Sequence, residues 1–224
     1  MLPKDWIGCI VGTSAGDLRI RIHLTCFLHS MNIQYQKTTS AIESHLQNFF
    51  TGHDLSFDSW KVGQPKTLEL LSRLRIAKFN PNQKENEDWT YASIGAWEFS
   101  NNKKQALEFV ILAPFESARI TELLTMAVNY HRTQHLGFEH IFPIGEGWLE
   151  NSECDHFLVS LPYPLGVNFE ICHISKAFHI RFAWLLPITK AEKNFMVSHS
   201  LEELEKKFEE AEIEYSNPQR KSVI

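Results

Sequence analysis

Cysteine pairs at ligand spacing, long apolar runs and an excess of basic charge are all missing from this 224-residue chain. Its four cysteines, Cys9, Cys26, Cys154 and Cys172, include no C-x-x-C pair. That removes the commonest zinc and thiol-redox signatures. The cysteine density is also low for a disulfide scaffold, so the thiols read as reduced and the compartment as cytoplasmic. No apolar run approaches the ~18 residues that span a bilayer. Asp5, followed by Arg19 and Arg21, does not suit a secretory leader. The expectation is a soluble protein with no membrane partner. A formal net charge of −5 argues against nucleic acid as the main ligand, because phosphates are met by Lys and Arg. No P-loop, G-x-G-x-x-G or EF-hand loop occurs, so no cofactor and no bound metal are expected.

What is present is an ordinary globular composition, 43% apolar and 22% charged, with 16 Phe, 6 Trp and 5 Tyr to fill a core. Leu18, Ile20, Ile22 and Leu24 alternate with polar residues and predict a half-buried strand. Ser40-Ala41-Ile42-Glu43 matches a capping box, and Ile42, Leu46, Phe49 and Phe50 form the stripe of a helix that Thr51-Gly52 ends. Strands are expected over 68–79, 89–99 and 106–112, the last apolar on nearly both faces and therefore central. The polar stretch 80–86 separates the first two. A helix over 116–130 buries Ile120, Leu123, Leu124 and Ala127.

The second half repeats strands before helices. Phe157–Leu161 reads as a short strand closed by Pro162-Tyr163-Pro164. Val167, Phe169 and Ile171 alternate, as do Phe178, Ile180, Phe182 and Trp184, at a spacing natural for an antiparallel hairpin. Pro187 is expected to end the latter strand. Thr189-Lys190-Ala191-Glu192 and Ser200-Leu201-Glu202-Glu203 are capping boxes that each open a helix. Grouped strands followed by grouped helices define an α+β class, with a mixed, largely antiparallel sheet and helices packed on it. Leu107, Phe109, Ile111, Phe178, Phe182 and Trp184 are the expected core. Residues 1–39 are set apart from a domain over 40–224.

Candidate chemistry is sparse. Gly12-Thr13-Ser14-Ala15-Gly16 matches the G-x-S-x-G nucleophile elbow, and its wording resembles that of patatin-like lipases. A serine hydrolase using Ser14 is therefore the alternative reading. Against it, the segment after Gly16 reads as a strand, and only 13 residues precede Ser14 to build an oxyanion hole. His131 and His135 stand four apart, as metal ligands on a helix do, but lack the intervening Glu of H-E-x-x-H; exposed histidines at a helix end explain them. The concentrated charge lies at Glu146, Glu150, Glu153 and Asp155, around Trp148. That stretch is either a solvated loop or a docking surface on which Trp148 is the aromatic anchor and Glu146, Glu150 and Asp155 supply charge.

Two stretches carry a resemblance. Asp155-His156-Phe157-Leu158-Val159-Ser160-Leu161-Pro162-Tyr163-Pro164 resembles the strand and Pro-Tyr-Pro corner of the suppressor of fused family. Trp184-Leu185-Leu186-Pro187-Ile188-Thr189 with Lys190–Phe195 is similar to that family's Leu-Leu-Pro-Ile segment and following helix, and Pro218–Val223 to the ending of its bacterial members. The resemblance implies a suppressor-of-fused-like fold and a non-enzymatic, protein-binding role. Animal members restrain a transcription factor, and bacterial relatives are associated with toxin systems as immunity proteins. By that resemblance the expected partner is a protein, a cognate toxin neutralised by occlusion; a regulatory module with another partner is the remaining reading.

Overall fold

The computed structural model describes residues 15–60, 71–81, 88–102 and 104–224, with side chains from Asn32 onward. The chain divides after Ser40 into two units, and the larger, Ala41–Ile224, holds the sheet. Its strands are β1 (Leu55–Asp58), β2 (Arg75–Phe79), β3 (Trp89–Ile94), β4 (Gln105–Ala113), β5 (Ile141–Pro143), β6 (Cys154–Ser160), β7 (Ile171–Ser175) and β8 (Phe178–Thr189). They run in the order β1-β2-β3-β4-β8-β6-β5, with β7 pairing the first part of β8 on the flank that β6 takes further along. Among the described strands every pairing is antiparallel except β4 with β8. The sheet is thus mixed and mostly antiparallel. Among the described residues five α-helices accompany it: α1 (Ala15–Phe49), α2 (Ala118–Gln134), the single turn α3 (Val167–Glu170), α4 (Lys190–Ser198) and α5 (Leu201–Glu210).

Both faces of the sheet are covered, which explains why β4 from Ala106 to Ala113 carries apolar residues on both faces, with Glu108 the exception. On β4, Leu107, Phe109 and Ile111 pack with Ile120, Leu123, Leu124 and Ala127 of α2. Ala106, Val110 and Leu112 point the other way, into a second cluster with Ile42 and Leu46 of α1 and Leu204 and Phe208 of α5. β8 contributes Ala183 and Leu185 to the first face and Ile180, Phe182 and Trp184 to the second. Of the expected core, Phe178 alone is only half-buried.

Several expectations are corrected. Residues 18–24 lie within α1, not in a strand. Apolar residues two apart also place Leu18 with Ile22 and Ile20 with Leu24 at i,i+4, so the pattern fits a helix equally. The Ser40 capping box falls inside the same helix and caps nothing, because a cap needs the backbone before it to leave the helix. The 89–99 strand stops at Ile94, where Gly95 takes φ 126° and opens a 3₁₀ turn, Ala96–Phe99. Only Arg75–Phe79 of 68–79 is strand, and 68–70 lie outside the described residues, as do 82–86 of the polar loop. Residues 167–170 form α3 rather than the start of a strand, after Gly166 at φ 74°. Pro187 does not end β8 but sits within it opposite Phe157. β4 pairs β8 only as far as Trp184, so one flank is bare at Pro187, where a missing N–H is tolerated.

The Thr189 capping box is present in full: Thr189 Oγ1 accepts from Glu192 N–H at 3.2 Å, and Glu192 Oε2 accepts from Thr189 N–H at 2.8 Å. The same fully buried carboxylate takes two bonds from Arg220, Nη1 to Oε1 at 2.7 Å and Nη2 to Oε2 at 2.8 Å. Arg220 Nη2 also donates to the Pro187 carbonyl at 2.8 Å, and Val223 N–H to Glu192 Oε1 at 3.2 Å. The tail is fastened to the β8–α4 joint by these bonds.

Two buried titratable groups flank Phe109. Glu108 accepts from the Ser93 hydroxyl and from the N–H groups of Gly95 (2.7 Å), Ala96 (3.2 Å) and Trp97 (3.3 Å), closing the start of the 3₁₀ turn. Burial nevertheless pushes its carboxyl up to about 7. His131, in edge contact with Phe109, has Nε2 3.0 Å from Ser100 Oγ, and burial pulls it down to about 4, helped by nearby His135. The two act on stability with opposite sign. Between its ordinary 4.5 and about 7, folded Glu108 keeps a proton the unfolded chain has lost, so stability falls as pH rises. Between about 4 and its ordinary 6.5, folded His131 lacks a proton the unfolded chain holds, so stability rises with pH. Relative to wild type, Glu108→Gln should therefore gain stability as pH is raised from 4.5 to 6.5, and His131→Gln should lose it. Urea midpoints across that window test this; parallel curves for wild type and both variants would refute it.

Candidate functional site

The 146–155 stretch follows β5 and is fixed by its own backbone. Ile144 N–H donates to the Asp155 carbonyl at 2.8 Å and Trp148 N–H to the Cys154 carbonyl at 3.0 Å. Gly147 is required there, since a Cβ would stand 2.5 Å from the Ser152 carbonyl oxygen. This turn drives the Trp148 ring inward, where it is 0% exposed in the cluster beneath α2. Trp148 is therefore removed from the surface set: its large apolar ring is worth more to the core than to a loop.

The carboxylates do stay outside. Glu146 and Glu150 line a groove of about 440 Å³ together with Phe115, Ser117 and Arg119 from the start of α2. Phe115 is 48% exposed at its edge. Ser117 caps α2, its Oγ accepting from Arg119 N–H at 3.2 Å. The Arg119 guanidinium then reaches both Glu122 (2.7 Å) and Glu146 (2.8 Å). Asp155 does not line this groove; it is half-buried and pairs with His156 Nδ1 at 2.7 Å. Glu153 meets Lys221 at 2.5 Å. The structure thus brings Glu146 and Glu150 together and separates Trp148 and Asp155 from them.

Ser14 lies outside the described residues. His131 and His135 both line one groove, but His131 is buried with Nε2 against Ser100 Oγ, while His135 ends α2 in the left-handed conformation at φ 51°. Among the described residues no three His, Cys, Asp or Glu side chains are grouped to hold a metal ion. Burial pushes the thiols of Cys154 and Cys172 up to about 11, the opposite of an activated nucleophile. No described helix is long and apolar enough to cross a membrane.

A second groove, of about 250 Å³, lies at the corner after β6, lined by Phe138, Val159, Leu161, Tyr163, Arg181 and Leu201 among others. The sequence expectation for Pro162-Tyr163-Pro164 is a strand terminator alone. The signal it left unused was an aromatic residue between two prolines, which hold it in a turn rather than in the core.

The described part is an α+β domain, a helix-covered mixed sheet with acidic grooves at its loops. The chain belongs to the suppressor of fused protein family, whose family model matches residues 71–221. A homologue from Neisseria gonorrhoeae is 36% identical, with a TM-score of 0.73 over 84% of this chain and 98% of that one. Two solved structures at 12% identity share the fold. They are a chain of the Sufu–Fu complex, with a TM-score of 0.65 over 83% of this chain and 92% of that one, and Drosophila Suppressor of Fused, at 0.50 over 67% and 42%. Among curated proteins none matches.

Proposed function

We propose that the protein is a non-enzymatic, cytoplasmic immunity protein that binds a cognate toxin and occludes its active surface. Family membership is the observation that carries the binding half of this reading. The relative solved in a Sufu–Fu complex is a case of this fold held with a protein. Charge supports the other half. A toxin that cuts nucleic acid carries a basic cleft for phosphate, and a partner with net charge −5 and carboxylates on a groove rim is steered towards it. Glu146 and Glu150 are the rim residues of that interface, with Asp155 contributing field from beside it.

The test is to express the product of the neighbouring reading frame with and without this protein, then titrate the pair at two salt concentrations. The expected outcome is growth arrest relieved by co-expression. Glu146→Lys with Glu150→Lys should slow association roughly tenfold at low salt and change dissociation little. A harmless neighbour, or one that does not bind at low salt, would remove the toxin reading.

A further inference from the structure

The corner between β6 and β7 leaves apolar surface uncovered. Tyr163 is 59% exposed, Val167 75% and Ile171 36%. Ile171 pairs in the sheet with Arg181, which lines the second groove beside Tyr163, so patch and groove adjoin. Arg181 adds no free cation there, since its Nε donates to Glu170 Oε1 at 2.7 Å and its guanidinium lies 4.1 Å from the Phe138 ring centre.

The rim is anionic. The Tyr163 hydroxyl donates to Glu205 Oε1 at 3.3 Å. Burial raises the Glu205 carboxyl, and Glu209, Glu139 and Glu202 raise it further by repulsion. The two lysines of α5 do not relieve this, because Lys206 and Lys207 both turn to Glu210. Glu139 lines this groove, Glu205 is bonded to Tyr163 on its wall, and Glu202 and Glu209 stand close enough to Glu205 to repel it; none of the four makes an ion pair among the described residues.

We propose that this groove docks a segment of a protein partner that presents an aliphatic side chain flanked by Lys or Arg. The aliphatic group fills the groove between Phe138, Leu161 and Leu201, and the flanking cations meet Glu139 and Glu205, with Glu202 and Glu209 adding to the field. The charge selects this occupant: an anionic membrane is repelled by the rim, and a second copy would bring the same carboxylates against it. The inference rests on the protein-binding reading above and gives it a second surface.

The experiment is an amide-resolved NMR titration of the full chain with acetylated, amidated Arg-Leu-Arg-Leu-Arg, and with Glu-Leu-Glu-Leu-Glu as control. The basic peptide should shift amides of Phe138, Glu139, Leu161, Tyr163 and Leu201, weakening at least threefold between 50 and 300 mM salt, as expected where charge drives association. A Glu202→Lys, Glu205→Lys, Glu209→Lys variant should lose at least tenfold in affinity while its remaining spectrum stays folded. Tyr163→Ser, at an exposed position, should weaken binding without touching the charge. Equal binding of the acidic peptide, shifts centred elsewhere, or unchanged affinity in the triple variant would overturn the proposal. If the neighbouring gene product binds the triple variant as tightly as wild type, the groove is refuted and the binding function stands. If the basic peptide docks at the groove while that product fails to bind, the groove stands and the toxin reading falls.

Discussion

Replacing Arg220 by alanine should cost about 3–5 kcal/mol of folding stability, because it leaves the wholly buried Glu192 carboxylate without its cation. The loss is unequal between the partners. Glu192→Gln keeps the shape of the capping box and removes the charge, leaving Arg220 its bond to the Pro187 carbonyl, so it should cost less than Arg220→Ala. Arg220→Lys keeps the charge but not the two-pronged geometry, and should fall between. Urea denaturation of the three variants at pH 7 checks the order; an Arg220→Ala protein within 1 kcal/mol of wild type would show that the tail is not a fastening. The proteolytic signature is specific as well: Arg220→Ala should free the segment after α5 for cleavage while the sheet stays protected.

Trp148→Ala should be as costly, about 3–5 kcal/mol, through the cavity left beneath α2. Its readout separates the two roles open to this residue. An anchor in an interface lowers affinity and leaves stability alone. A core residue lowers the unfolding midpoint, and the molecules that remain folded bind as before. The structure commits to the second outcome. Trp148→Phe, which keeps most of the apolar volume, should recover more than half of the loss.

How much of this was legible in the sequence depended on whether a local rule had one reading. From Phe178 to the last helix the pattern was readable because several signals agreed there, although Pro187 lies within β8 rather than at its end. Phe178–Trp184 alternates, Thr189 and Glu192 satisfy a capping box, and both appear as expected. Residues 18–24 failed because a two-residue period over a short stretch also satisfies i,i+4, and Ser40–Glu43 failed because a capping box is a signature only where a helix begins. Trp148 failed for a different reason: its neighbours Glu146 and Glu150 are polar and sit in a turn, and nothing local says that Gly147 bends the ring inward. Glu108 and the pairing of Glu192 with Arg220 were out of reach for sequence, since a buried carboxylate is recognised by partners that the fold supplies. Glu108 sits in an apolar run as a polar exception, which was the available hint.

The parallel pairing of β4 with β8 has a consequence for how the chain is made. β4 waits for β8, and Gln105 and His179, which face each other in the ladder, are separated by 179 − 105 = 74 residues. On a ribosome adding roughly 5–20 residues per second, that interval is about 4–15 s. Through it the flank of β4 from Gln105 to Val110, which carries Ala106, Leu107, Phe109 and Val110, is an unpaired template for other strands. β3 can shield the opposite flank early, being joined to β4 by a short connection. The nascent chain therefore exposes one sticky border until its last strand is complete, and variants that slow or weaken β8 should fail first as aggregates during expression rather than as unstable purified protein.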